Sequence, residues 1–361
     1  MQVFDVWDQA ALTEEITRPA AGRDPGAAED AETRLGETLA PNKSVTTRTV
    51  KQRVRELKPF GVGQFRAPDG SPAVYSPELS WQEKIIGLVI LEEIHPIEEE
   101  EWMKLESDDE NVLRSAGVEL VERGRILRLR NERLTEAMRW DMLLNGKLTI
   151  TYPGGNTLQV DYDVAADHLP TLTAGARWSQ VATADPVADI QTWSELMADD
   201  AGFYARHLYM TSKTFDYLIR NTKIINTINF FAQGAAPIQR PRKQDILEMF
   251  TSFAVNQDIT IYDNGYRAEG EAGVGRPSLT KYLPDNKVLV LGPLAIEGVP
   301  IAQTLDGQVM VLTDWNKTEN RQGFQAEVLL DGMSRTHYLR ASSARIPRLN
   351  YPDAVIAATV A

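Results

Sequence analysis

The stretch whose residue types come nearest to a chemical site is Gly270 to Ser278, GEAGVGRPS. A phosphate-binding loop needs Lys where Arg276 stands, a hydroxyl directly after it and a helix behind. Here Pro277 intervenes and no strong helical pattern follows. Gly61-Val62-Gly63 lacks the third glycine and the strand-to-helix setting of a dinucleotide site. His95, His168, His207 and His337 are scattered, with none in a paired ligand spacing. There is no cysteine, which excludes disulfides, thiolate catalysis and thiolate metal sites. Asp161 and Asp163 fall on one face of a strand and could hold a cation, although exposed acids on a hairpin are the simpler reading. No Gly-x-Ser-x-Gly nucleophile elbow occurs. Tyr204, Tyr209, Phe215, Tyr217, Phe230 and Phe231 could stack bases, but they lie in apolar-periodic segments without clustered Lys or Arg, the pattern of a core. The expectation is no catalytic, cofactor-binding or metal-ligating residue, hence not an enzyme. A catalytic site dispersed over the sequence is the alternative that such a search leaves open.

Charge is the stronger signal. The formal net charge is −13, which argues against a protein that grips nucleic acid through its phosphates. Lys43, Arg48, Lys51, Arg53, Arg55, Lys58 and Arg66 form a basic block opposed only by Glu56. Glu92, Glu93, Glu98, Glu99, Glu100, Glu101, Glu106, Asp108, Asp109 and Glu110 form an acidic block opposed only by Lys104. The two blocks are read either as solvated faces or as surfaces that pair between copies of the chain.

The element that must position the acids is a long helix expected over Ser107 to Asn145. Ser107 and Glu110 have the spacing of a capping box, and Asp108, Asp109 and Glu110 sit at the positive end of the helix dipole. Gly146 follows the last apolar residues and provides the stop. At 1.5 Å per residue the helix would be on the order of 55 Å long. Its apolar stripe therefore needs a partner. Leu113, Leu120, Leu127 and Leu134 recur every seven residues, but the intervening core positions are mostly not apolar, so a helix laid across a sheet fits better than a dimeric coiled coil. Gly117 and Gly124 imply a close approach by another backbone.

With 361 residues and 43% hydrophobic content, the chain is long enough for two domains with cores. No apolar run reaches the ~18 residues that span a bilayer, and the N-terminus is acidic, so no membrane or secretory role is expected. Residues 1 to about 40 lack an apolar period and read as an extended or disordered arm. Val45 to Leu57 and Ala73 to Ile94 read as a long hairpin ended by His95-Pro96, too polar in its first half for a core. Lys147 to Ile150 and Leu158 to Val164 form a second hairpin. From Pro170 helices and strands alternate: a helix capped by Asp185 with Pro186, a strand His207 to Met210, a helix capped by Ser212, one opened by Pro241, and strands near 259–262, 287–291 and 309–312. The tail (325–330, 337–339, 354–360) reads as strands that rejoin the sheet begun at Lys147.

This order of elements resembles the major capsid proteins of tailed bacteriophages, the lambda-type head proteins with the Hong Kong-97 capsid fold. Arg133 to Ile150 (RLTEAMRWDMLLNGKLTI) is similar to the end of that family's spine helix, Tyr209 to Lys223 (YMTSKTFDYLIRNTK) to a strand and helix of its axial domain, and Arg345 to Ile356 (RIPRLNYPDAVI) to its closing segment. The resemblance covers residues 45 to 361. It implies an α+β fold with an N-terminal arm (1–44), an extended loop (45–95), a peripheral domain (96–168 with 320–361) containing the spine helix 107–145, and an axial domain (169–319). It also implies self-assembly through pentamers and hexamers into an icosahedral head enclosing double-stranded DNA, assembled in the host cytoplasm. Its expected partners are copies of itself, a separate scaffolding protein and a portal at one vertex, with room for a decoration protein. An encapsulin-like compartment shell and a soluble two-domain enzyme are the alternatives. The contacts expected between subunits are Lys51, Arg53 and Arg55 of one copy with Glu98 to Glu101 or Asp108 to Glu110 of the next.

Overall fold

The computed structural model describes residues 9–18, 34–55, 81–152, 155–231, 240–252, 258–267, 279–314, 317–330 and 336–361. The glycine stretches at 61–63 and 270–275 and the turn expected at 67–72 lie outside them. The described chain opens with helices α1 (Gln9–Thr17) and α2 (Leu35–Leu39), then strands β1 (Asn42–Ser44), β2 (Thr49–Arg55), β3 (Trp81–Gly87) and β4 (Val89–Ile97). Helices α3 (Glu99–Leu105) and α4 (Glu110–Asn145) lead to strands β5 (Lys147–Thr151) and β6 (Thr157–Asp161). Next come α5 (Pro186–Ala201), β7 (His207–Met210), α6 (Ser212–Arg220), α7 (Thr222–Phe231) and α8 (Lys243–Ser252). Strands β8 (Asp258–Ile261), β9 (Gly265–Arg267), β10 (Leu279–Lys281), β11 (Lys287–Leu291), β12 (Ala295–Ile296) and β13 (Val299–Pro300) follow. The last are β14 (Ala302–Asp306), β15 (Gln308–Asp314), β16 (Lys317–Gln322), β17 (Gln325–Leu330), β18 (His337–Leu349) and β19 (Val355–Thr359). The fold class is α+β, as expected.

Two compact units are formed, one from Met1–Lys51, Ile85–Arg139 and Gln303–Arg348, the other from Gln52–Lys84, Trp140–Ala302 and Leu349–Ala361. In the first, a five-stranded sheet has the order β1-β14-β18-β17, with β4 also on β18. Leu120, Val121 and Leu127 of α4 pack on Ala326, Val328, Leu339 and Ala341 of that sheet. The expected helix-on-sheet packing is therefore present: Leu120 and Leu127 lie in the core with the sheet, whereas Leu134 is 50% exposed. In the second unit the sheet order is β19-β11-β7-β8. Helices α5 to α8 bury Ile190, Trp193, Phe215, Ile224, Ile246 and Phe250 against Leu208, Val288, Val290 and Ile356.

Helix α4 stops where glycine allows. Gly146 has φ +62° and its N–H donates to Met142 O at 3.0 Å. Its start differs from the expected capping box. Asp109 is the cap: its carboxylate accepts from Asn111 N at 2.9 Å and its carbonyl from Leu113 N at 2.9 Å, while Ser107 only supports Asp109 N at 3.2 Å. Asp competes as well as Ser for this position. At α6 the cap is Thr211, one residue before the expected Ser212.

Other expectations are corrected by pairing. The closing strand β19 joins β11, with Val355 opposite Leu291, and does not rejoin β5, which pairs only with β6 among the described residues. His95 and Pro96 do not end the hairpin strand: they lie inside β4, paired with Leu339 and Tyr338. An edge strand tolerates a proline whose missing N–H would face outward. The first forty residues are not uniformly extended. Leu12 and Ile16 of α1, one helical turn apart, are fully buried in the first unit's core, and Gly124 is the notch into which Ile16 fits. What approaches Gly124 closely is thus a side chain, not a backbone.

Candidate functional site

The acidic residues singled out from the sequence stand at two helix starts. Glu98 precedes α3, Glu99, Glu100 and Glu101 form its first turn, and Asp108 and Asp109 precede Glu110 at the start of α4. Both runs are stabilised by the exposed N–H groups and positive dipole end there. Glu98, Glu99, Glu100, Asp108, Asp109 and Glu110 are exposed. Glu100 holds Lys104 at 3.0 Å. Glu101 is half-buried and forms a two-pronged ion pair with Arg123, which also reaches Glu119 at 3.0 Å and His95 at 3.3 Å. The hydrogen bonds from Arg123 hold the Glu101 carboxyl below the usual carboxylate range.

Further along, the acids are spent inside the chain. Glu93 pairs with Arg130 at 2.7 Å, and Arg340 bridges Glu92 at 2.8 Å and the buried Glu327. These partners lie 37 and 248 residues away in sequence, so Glu92, Glu93 and Glu101, which only Lys104 opposes in one dimension, are paired in three. Lys51, Arg53 and Arg55 belong to strand β2. Strand β2 pairs with β3 in a two-stranded sheet.

Sequence reasoning missed a buried ion pair. Glu136 and Arg139 are 0% and 3% exposed and contact each other at 3.2 Å. Glu136 also accepts from Gly36 N at 2.7 Å, and Arg139 donates to Thr304 Oγ1 at 2.7 Å and Asn42 Oδ1 at 2.8 Å. Desolvation lowers the Arg139 pKa. The only trace in sequence is an i, i+3 Glu–Arg pair, indistinguishable from a surface pair.

Each of the four histidines has a neighbour within the chain. His168 lies between Val355 O and Asp200, both at 3.0 Å; His337 stacks on Trp102; His207 is 3.9 Å from Asp258; and His95 is beside Arg123. Asp161 is engaged by Lys147 at 3.2 Å across the β5–β6 hairpin. Tyr209 and Phe215 are core residues, whereas Tyr204 and Phe230 are more than two-thirds exposed. Among the described residues no group of three or more acidic, His or Cys side chains could hold a metal ion. The acidic surface offers charge recognition, with carboxylates that accept hydrogen bonds and attract cationic side chains.

A family profile, phage major capsid protein E, matches residues 27–360. The chain belongs to that family. This capsid protein also shares its fold with two solved structures. One is a protein described as the capsid protein of an E. coli CFT073 prophage, with TM-score 0.57, 13% identity and coverage of 98% of this chain and 99% of the other. The second is a phage-related protein from Bordetella bronchiseptica RB50, with TM-score 0.55, 14% identity and coverage of 97% and 96%. No curated protein sequence matches it. The fold is the Hong Kong-97 type. The protein is a structural, shell-forming major capsid protein of the virion.

Proposed function

We propose that this capsid protein closes into pentameric and hexameric rings, and the rings into an icosahedral head that encloses double-stranded phage DNA. Assembly takes place in the host cytoplasm on a separate scaffolding protein, with a portal at one vertex and a decoration protein as an optional outer partner. The observation that carries the reading is the family match over nearly the whole chain. The net charge of −13 supports it, since a container of DNA should not adhere to its contents. Heterologous contacts of the kind that close into rings need two different surfaces on one chain. Strand β2 of one copy (Lys51, Arg53, Arg55) meets the exposed acids at the starts of α3 and α4 in the next. Glu98, Glu99, Glu100, Asp108, Asp109 and Glu110 are the available members, and Glu101 contributes through the acidic field it shares with them. The arm, extended loop, peripheral and axial parts keep the boundaries given above as a proposal, and no crosslink between subunits is invoked.

The test compares particle size for the purified chain and for Lys51→Glu/Arg53→Glu/Arg55→Glu, by light scattering and negative-stain microscopy, with and without a co-expressed scaffold. The unaltered chain is expected to give rings, tubes or shells, and the triple variant only small species at moderate salt. Normal shells from the variant would remove the β2 contact. A monomer or dimer of the unaltered chain under every condition would remove the ring scheme.

A further inference from the structure

Between Asp200 and Asp245 the chain carries seven Lys and Arg residues and a single acid, Asp216, in a protein whose net charge is −13. The second unit brings part of this block to one surface. Helix α6 buries Phe215 and Leu218 in the core, which leaves Lys213, Asp216 and Arg220, spaced by three and four residues, on its outer face. Asp216 holds Arg220 at 2.6 Å and Arg240 at 3.4 Å, and the two arginine side chains are 64% and 72% exposed. Arg242 follows Arg240 across the buried Pro241 and is itself exposed, as is Lys243.

The acids nearby do not balance this surface. The Asp245 carboxylate accepts from the Arg242 backbone N–H at 2.7 Å, closing the first turn of α8, and Asp185 takes Lys223 at 2.8 Å. Asp216 is thus left to offset Arg220, Arg240 and Arg242, with Lys243 beside them. Exposed ion pairs of this kind are held weakly, so the guanidinium groups can engage a second anion. Their fixed fork of N–H donors matches phosphate oxygens two at a time.

We infer that the surface formed by Arg220, Arg240 and Arg242 touches the phosphate backbone of the enclosed duplex, weakly and without regard to sequence, which turns this face toward the lumen. A duplex presents one negative charge per about 1.7 Å of its axis, and phosphate contacts position it without reading its bases. Three such contacts on a chain of net negative charge are loosened by salt, so they steady the duplex and do not grip it. The inference rests on the reading that the shell encloses double-stranded DNA. The two fail separately, because shells are scored by microscopy and binding is measured on dissociated subunits.

The probe is a fluorescent duplex of about 30 base pairs, titrated with subunits and read by anisotropy from about 0.05 to about 0.2 M sodium chloride. Three phosphate contacts predict a slope of about −2.7 in log K against log salt, roughly a fortyfold loss of affinity over that range. Arg220→Gln/Arg240→Gln/Arg242→Gln should keep the melting temperature of the subunit and lose most of the binding, with the slope falling toward zero. Acetylation of lysines, mapped by mass spectrometry, gives a second reading that needs no variant. The duplex should protect Lys223 and Lys243, and should leave Lys104 of α3 and Lys147 of β5, both half-exposed, reactive. No binding at the lowest salt, full binding by the triple variant, or protection that spares Lys223 and Lys243 overturns the inference. Tighter binding of poly-glutamate than of duplex at equal charge also overturns it, since the surface would then fit an acidic polypeptide.

Discussion

Glu101 and Arg123 show how little a surface charge reveals without its partner. Each side chain retains about a quarter of its exposure, so the pair is worth on the order of 0.5 to 1 kcal/mol. The sign of its pH dependence follows from the lowered Glu101 pKa. The unfolded chain binds the proton more readily, so the contribution is present above the unfolded value of about 4.3 and is lost as pH falls through the folded one. The urea midpoint of Glu101→Gln should therefore lie below that of the unaltered protein at pH 7 and approach it as the pH falls below the unfolded value. A difference that stays constant over that range would contradict the assignment. Glu136 and Arg139 belong to a different regime. Buried and fully hydrogen-bonded, they join α2 and β1 to α4, and removing one partner would strand the other charge. Exposure, which distinguishes the two pairs, is a property of the fold.

At the scale of the element, α4 is defined by its ends more than by its leucines. Its stop depends on Gly146, whose left-handed φ and closeness to Val164, 2.7 Å from an added Cβ, both oppose any side chain. Gly146→Ala should lower stability by roughly 1 to 3 kcal/mol, read as a fall in melting temperature with an unchanged far-UV spectrum. An unaltered melting temperature would mean that the turn relaxes freely. Strand β4 teaches the complementary point. Its Pro96 looks like a break in sequence because proline lacks a ladder donor, but β4 pairs with β18 alone among the described strands, so one edge needs no donors. Helix α1 was illegible for a related reason. Two apolar residues one turn apart carry no sustained period, and only the Gly124 notch and the β17 edge give them a place to bury.

At the scale of the whole molecule, the charge asymmetry between β2 and the starts of α3 and α4 predicts how assembly responds to salt. Exposed charges are screened over about 10 Å at 0.1 M salt and about 3 Å at 1 M. The subunit concentration needed for shells should rise as sodium chloride is raised from about 0.05 to about 1 M, and sedimentation at each step would measure it. A threshold independent of salt would place the contact elsewhere. The sequence by itself determined the alternation of helices and strands from 185 onward, the stop of α4 at Gly146, the packing of that helix on a sheet and the likeness to phage capsid proteins. Those features rest on local chemistry: a Pro at a first helical turn, a glycine free to take positive φ, an apolar stripe with a readable period, and an order of elements. Only the tertiary structure decided that β19 joins β11, that Glu92, Glu93 and Glu101 are neutralised within the chain, and that Glu136 and Arg139 are buried. Each of those depends on partners far apart in sequence, and no local pattern records which distant strand edge or guanidinium will be the neighbour.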